Sequence, residues 1–194
     1  MSDIVRIMAL IYTDSNAADR AVRAVAVTLT ERGCKLAGLV QHTTLRPGCS
    51  RCDMILEELA SGELMAISQD RGALARGCAL DVDQLLTAMQ IVRASLPSGP
   101  DVVILNKFGK TEAEGAGFPP LIAETIEAGL PLLIAVPWRN VESWRNFTGE
   151  MMREINLDLL AVDGLSLCDT LGVGHLGEWH SCASKPRLAV SARH

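Results

Sequence analysis

Short, almost uninterrupted apolar runs alternate along this chain with stretches that carry apolar residues at helical spacing, and few architectures accept that alternation. Ile4 to Tyr12 (IVRIMALIY) has the composition of a strand buried on both faces. Asp14, Ser15 and Asn16 then offer helix-capping side chains. Ala18, Ala21, Val22, Val25 and Leu29 follow on one helical face, and Gly33 is a natural stop. Cys34 to Gln41 (CKLAGLVQ) resumes as a second strand, which completes a β-α-β unit with a right-handed crossover. The rhythm returns later. Asp81, with Gln84 three positions on, opens a helix striped by Val82, Leu85, Met89, Val92 and Leu96. Asp101 to Phe108 and Pro131 to Val136 read as strands, Pro119 to Ala128 and Val141 to Ile155 as helices, and Leu157 to Val162 as a last strand. Aromatic residues make up only 4% of the chain, so its core must be Ala, Val, Leu and Ile. The expected fold is α/β, a mostly parallel, doubly wound sheet.

One segment departs from the rhythm. Asp53 to Leu59 and Glu63 to Gln69 are strand-like and joined by Ala60-Ser61-Gly62, the pattern of a β-hairpin excursion. His42 to Arg51 and Asp70 to Leu80 read as loops. The alternation supports a single α/β domain over residues 1–163. Residues 164–194 are a weakly patterned C-terminal extension, its last dozen residues expected to be a mobile tail.

In such sheets ligands sit at the carboxyl ends of the strands, and four rims are nominated on that ground: 12–16, 41–42, 106–114 and 137–140. The first turn, Tyr12-Thr13-Asp14-Ser15-Asn16-Ala17-Ala18-Asp19, has neither the glycines nor the lysine of a phosphate-wrapping loop, and its aspartates would repel a triphosphate. Asp14, Ser15 and Asn16 remain ligand candidates through the helix N-terminus, and also serve as plain caps. Gln41 ends the second strand. The run DVVILNKFGKTEAEGAG (101–117) concentrates charge at its rim. Asn106, Lys107, Gly109, Lys110 and Glu114 could receive an anionic ligand there, and Glu112 could act as a catalytic base or hold a metal. Cys49, Cys52 and Cys78, with His42 upstream, could ligate a soft metal or form a redox pair, or stay unligated thiols. Trp138 and Trp144 read as packing residues, and Met151 and Met152 as helix core.

Composition bounds the functional classes. A net charge of −5 leaves no basic surplus for nucleic acid. No apolar run is long enough to span a bilayer, and no charged-then-apolar leader opens the chain, so a cytoplasmic protein with reduced thiols and no membrane insertion is expected. The residues name no cofactor. They leave room for a small anionic or nucleotide ligand, for a protein partner and for a homo-oligomer.

The segments LVQ (39–41), CDMILEELASGELMAISQDRG (52–72), GCALD (77–81) and DVVILNKFGKTEAEGAGF (101–118) resemble a bacterial family described as a domain of unknown function, often encoded beside molybdate-transport genes. The resemblance covers residues 4–160, and NKFGKTEAEG is its most specific part. That family in turn resembles thermophile-type P-loop nucleoside-triphosphatases. There the equivalent strand ends in an Asp-Glu pair, where this chain has Asn106 and Lys107, while Gly109, Glu112 and the hairpin around Gly62 match. The resemblance implies a P-loop NTPase-like fold with a degenerate phosphate loop. The loop lysine, the magnesium-holding hydroxyl and the acid on the second strand are all missing. The expected function is therefore a non-hydrolytic accessory protein that binds an oxyanion, a small molecule or a nucleotide, linked to molybdenum metabolism. A divergent nucleoside-triphosphatase or a metal- or thiol-dependent enzyme is the alternative.

Overall fold

The buried runs become strands in a computed structural model that describes residues 7–45, 52–69, 79–149 and 152–159. In chain order the elements are β1 (Ile7–Tyr12), α1 (Ser15–Glu31), β2 (Leu36–Leu45), β3 (Cys52–Glu58), β4 (Leu64–Ala66), β5 (Ser68–Gln69) and β6 (Ala79–Leu80). There follow α2 (Val82–Ser95), β7 (Val102–Leu105), α3 (Lys110–Ala113), α4 (Pro119–Glu127), β8 (Leu132–Pro137), α5 (Val141–Thr148) and β9 (Met152–Asn156). The main sheet has the order β4-β3-β2-β7-β8-β1-β9. β2, β7, β8, β1 and β9 run parallel, while β3 and β4 fold back antiparallel at one edge as the hairpin. The α/β, mostly parallel fold is thus the one expected, and its arrangement is consistent with a P-loop NTPase-like sheet.

Alternation along each strand divides the core in two. Met8, Leu10, Ile104, Leu133 and Ala135 face α1, which contributes Ala18, Ala21, Val22, Val25 and Leu29, all fully buried. Ile7, Ala9, Val103, Leu105, Ile134 and Val136 face the other way, onto α2, α4 and α5. Each fully buried Leu, Ile or Val stabilises the fold by about 1.5–3 kcal/mol, which is why runs apolar on both faces choose the middle of a covered sheet. Among the buried aromatics, Trp144 of α5 meets Phe108 edge-on, their centroids 5.1 Å apart. At Gly38, where β2 lies against β7, φ is +118° and a Cβ would collide with the Ile104 carbonyl oxygen. Only glycine permits that approach.

Several boundaries differ from the sequence reading. β2 continues to Leu45 through residues read as loop, because β3 pairs with it residue for residue from Leu39 to Leu45. The second hairpin run splits into β4 and β5, and β5 pairs with β6 inside the other segment read as loop. The helix expected to reach Ile155 stops at Thr148, where Gly149 at φ +65° ends it. Met152 to Asn156 is instead a strand beside β1, so Met152 is not helix core, and residues 157–159 form a 3-10 turn rather than a strand. The region beyond Leu159, including the expected tail, lies outside the described residues. Among the described residues no helix is long and apolar enough to cross a membrane.

Candidate functional site

β1 and β8 are neighbours, paired from Ile7–Leu132 to Tyr12–Pro137. The helix after β1 packs on one face of the sheet and the helix after β8 on the other. The topology therefore switches between the carboxyl ends of these two strands, the place at which doubly wound sheets form the crevice that binds ligands.

The first wall of the crevice is unusually short. Only Thr13 and Asp14 separate β1 from α1, whereas a phosphate-wrapping loop takes about eight residues. Asp14 is the N-cap of α1, and its Oδ1 accepts from the amides of Asn16 (2.8 Å) and Ala17 (3.3 Å). The amides that would hold a phosphate are already satisfied by an internal carboxylate. Thr13 Oγ1 donates to Asp158 Oδ2 at 2.9 Å, which ties the turn to the segment after β9.

Beneath that turn lies a polar network that the sequence reading did not assemble. Lys107, just past β7, reaches back to α1. Its Nζ donates to Ser15 Oγ (2.8 Å) and sits 2.9 Å from Asp19 Oδ1 and 3.2 Å from Asp19 Oδ2. The Asp19 side chain is only 7% exposed and that of Lys107 21%. Asn106, also buried, donates from Nδ2 to Asp19 Oδ1 (3.2 Å) and accepts the Gln41 amide on Oδ1 (3.0 Å), so one side chain joins α1 to β2. Tyr12 completes the group. Burial pushes its phenol up to about 12, and the Asp19 carboxylate adds to the effect, opposed by a hydrogen bond from Ser15 and by the Arg139 guanidinium. One ammonium and one carboxylate cancel, and the carboxyl end of β7 is tied to α1 by the protein's own ion pair.

The loop after β7 is organised by Glu112. This carboxylate is buried and accepts from the Gly109 amide at 2.8 Å, at the start of α3. Burial raises its pKa, and bonds from its own amide and those of Gly109 and Phe118 pull the other way. Glu112 thus points into the loop it braces. Lys110 and Glu114 stand outside on the same short helix, 3.7 Å apart and largely exposed.

The sequence-nominated residues therefore divide. Ser15, Gln41, Asn106 and Lys107 come together around Asp19; Asp14 caps the helix above them, and Asn16 takes part through its amide. Gly109, Lys110, Glu112 and Glu114 form the neighbouring loop. Cys49 and Cys78 lie outside the described residues, as does the side chain of Cys52. Among the described residues, no cluster of three His, Cys, Asp or Glu side chains could hold a metal ion. Asp19 was not nominated, yet its signal was present: it is a carboxylate on the apolar stripe of α1, between Ala18 and Val22. Trp138 corrects the packing assignment. It follows Pro137 at the crevice and is 66% exposed, whereas Trp144 is fully buried. Beside it Arg139 is exposed, with no hydrogen-bonded partner among the described residues.

Comparison with known proteins gives the chain a family. The chain belongs to the family described as a protein of unknown function, DUF2478, whose model matches residues 7–164. A molybdenum import ATP-binding protein, ModC 2, of Bradyrhizobium diazoefficiens is 32% identical over 144 residues, which cover 74% of this chain and 16% of that protein. The chain thus spans about a sixth of the relative's length. No solved structure matches it.

Proposed function

From its membership of that family and the geometry of the crevice, we propose that the protein is a non-hydrolytic accessory protein that binds a small anionic or nucleotide-like ligand between the ends of β1 and β8. The carrying observation is the internal cation: Lys107 lies between Ser15 and Asp19, and Asp14 occupies the amides of α1. Phosphoryl transfer depends on a metal and on donors free to follow charge onto the phosphate oxygens, and this arrangement has committed its donors to itself. The rim still offers a receptor of another kind. Trp138 presents an exposed aromatic ring, and Arg139 beside it presents a guanidinium with no hydrogen-bonded partner among the described residues. Lys110 adds an exposed charge on the neighbouring loop. The relative named for molybdenum import makes molybdate, tungstate and nucleotides the first ligands to try.

The test is a thermal-shift panel of ATP, GTP, molybdate, tungstate, sulfate and phosphate, with and without magnesium, run beside a phosphate-release assay. A ligand at a hundred times its dissociation constant adds about 2.7 kcal/mol of stability. The proposal expects a magnesium-independent shift, lost in Arg139→Ala, with no phosphate released. Magnesium-dependent turnover would replace it with the hydrolase reading, and silence across the panel would refute small-anion binding.

A further inference from the structure

Past Leu39 the second strand outruns the parallel sheet. β2 pairs with β7 only from Leu36 to Leu39, and from Val40 to Leu45 its ladder runs to β3 alone. The far half of β2 and its partner β3 thus form an antiparallel arm, and an arm of this size keeps its place only through packing on the rest of the fold. On one face Met54 and Leu56 join the apolar core under α2. On the other face, toward α1, the fastening at His42 is polar.

His42 stands between two opposite charges. Its Nε2 lies 2.6 Å from Glu57 Oε2 of β3, and its Nδ1 lies 3.3 Å from Arg23 Nη1 of α1. A guanidinium only donates, so Nδ1 accepts, and the ring proton sits on Nε2, directed at Glu57. Only the neutral imidazole can do both. Arg23 Nε in turn donates to the Asp19 carbonyl at 3.3 Å. One residue back, the Gln41 amide donates to Asn106, whose Nδ2 donates to the Asp19 carboxylate. The arm is therefore tied twice to the turn of α1 that carries Asp19, once through amides and once through an imidazole.

These two ties respond differently to protons. We propose that His42 is a proton-operated latch between α1 and the β2–β3 arm, closed while the ring is neutral and open when it is charged. A proton from solvent adds to the ring at Nδ1, the atom that accepts from Arg23. It turns that acceptor into a donor and sets two cations face to face, which breaks the Arg23 bond, while Glu57 keeps the imidazolium on the arm. The His42 and Glu57 side chains are 33% and 34% exposed, so the proton reaches the ring from water. A cavity of about 310 Å³ between α1 and the arm gives the released guanidinium room to withdraw. The charged groups around the ring are Arg23 and, further along the same helix, Glu31, with Glu57 opposite; the described side chains of β2 add no other. The Gln41–Asn106 tie carries no titrating group and holds at either pH. The latch thus frees the outer part of the arm and leaves its base in place, whatever ligand the crevice holds.

The test is amide hydrogen exchange of the full chain at about pH 8 and pH 5, the range over which histidines change charge, corrected for the intrinsic pH dependence of exchange and read beside ring-nitrogen NMR of His42. At the higher pH the ring should show the Nε2–H tautomer. At the lower pH protection of the β2–β3 ladder beyond Gln41 should fall about tenfold, the loss of one hydrogen bond from a charged donor, while β1 and β8 keep theirs. Arg23→Met should leave the arm loosened at both pH values. His42→Gln, which keeps a donor and an acceptor but cannot be protonated, should remove the pH response. An Nδ1–H tautomer at the higher pH would overturn the latch. So would equal protection of the arm at both pH values, a response that survives His42→Gln, or an arm that Arg23→Met does not loosen.

Discussion

Two strand-to-helix turns leave the same end of the sheet, one after β1 and one after β7, with β8 between the two strands. The first is two residues long and presents an acid to the helix amides. The second runs through Asn106, Lys107, Phe108 and Gly109, carries the base, and sends it across to the first turn's helix. Together they make a closed electrostatic unit in which the paired acid is Asp19 of α1 and the cation is Lys107. The difference shows that a buried carboxylate on one element can be neutralised by a cation carried on another, which fixes both side chains to each other.

The hardest blow to this pairing is the removal of Lys107. Lys107→Met leaves Asp19 buried and uncompensated and should cost about 3–5 kcal/mol, measured by denaturant unfolding. Asp19→Asn in the same background should recover much of that loss. A cost below about 1 kcal/mol would show that the ion pair does not organise the site. Next comes the bracing of the second turn. Gly117 has φ +73°, and a Cβ there would collide with Glu112 Oε1. Gly117→Ala should therefore cost about 1–3 kcal/mol, with the NMR changes centred on residues 109–118. The first turn should be more forgiving, since Asp14→Ala removes a cap worth about 1 kcal/mol. If the amides so freed now bind sulfate or phosphate, occupation by Asp14 was what excluded anions.

The smallest effect is a pH dependence. Burial raises the Glu112 pKa above its ordinary value of 4.5, so the folded state holds that proton more tightly than the unfolded chain. Its contribution is fully present below the ordinary carboxyl range and is lost as pH rises through the folded pKa. The stability difference between wild type and Glu112→Gln should therefore shift against the wild type as pH rises through that window. A difference flat with pH would place the ionised carboxylate at no disadvantage in the loop.

Much of this was legible before any coordinates. The runs around β1, β7 and β8 read as buried strands because they are short, apolar on both faces and bounded by helix starts or turns, and periodicity located α1, α2 and α4, with capping residues at the first two. The hairpin was visible in its turn residues. The missing phosphate loop was visible in composition, and the structure adds that the chain has no length there to wrap anything. What composition and spacing did not reveal was pairing. β9 looked like the end of a helix, because five residues of mixed polarity acquire a strand's identity only from the β1 edge they join. Trp138 looked like core because an aromatic beside a buried strand usually is. The local pattern therefore determined most of the strands and helices, and that the first turn lacks the glycines and lysine of a phosphate-wrapping loop, since those follow from periodicity and residue chemistry along a few turns of chain. Only the tertiary structure decided that Lys107 neutralises Asp19, and that Arg23 and Glu57 meet on either side of His42. Such contacts join residues from different elements, and no local rule specifies which distant charges the packing of a sheet will bring within hydrogen-bonding reach.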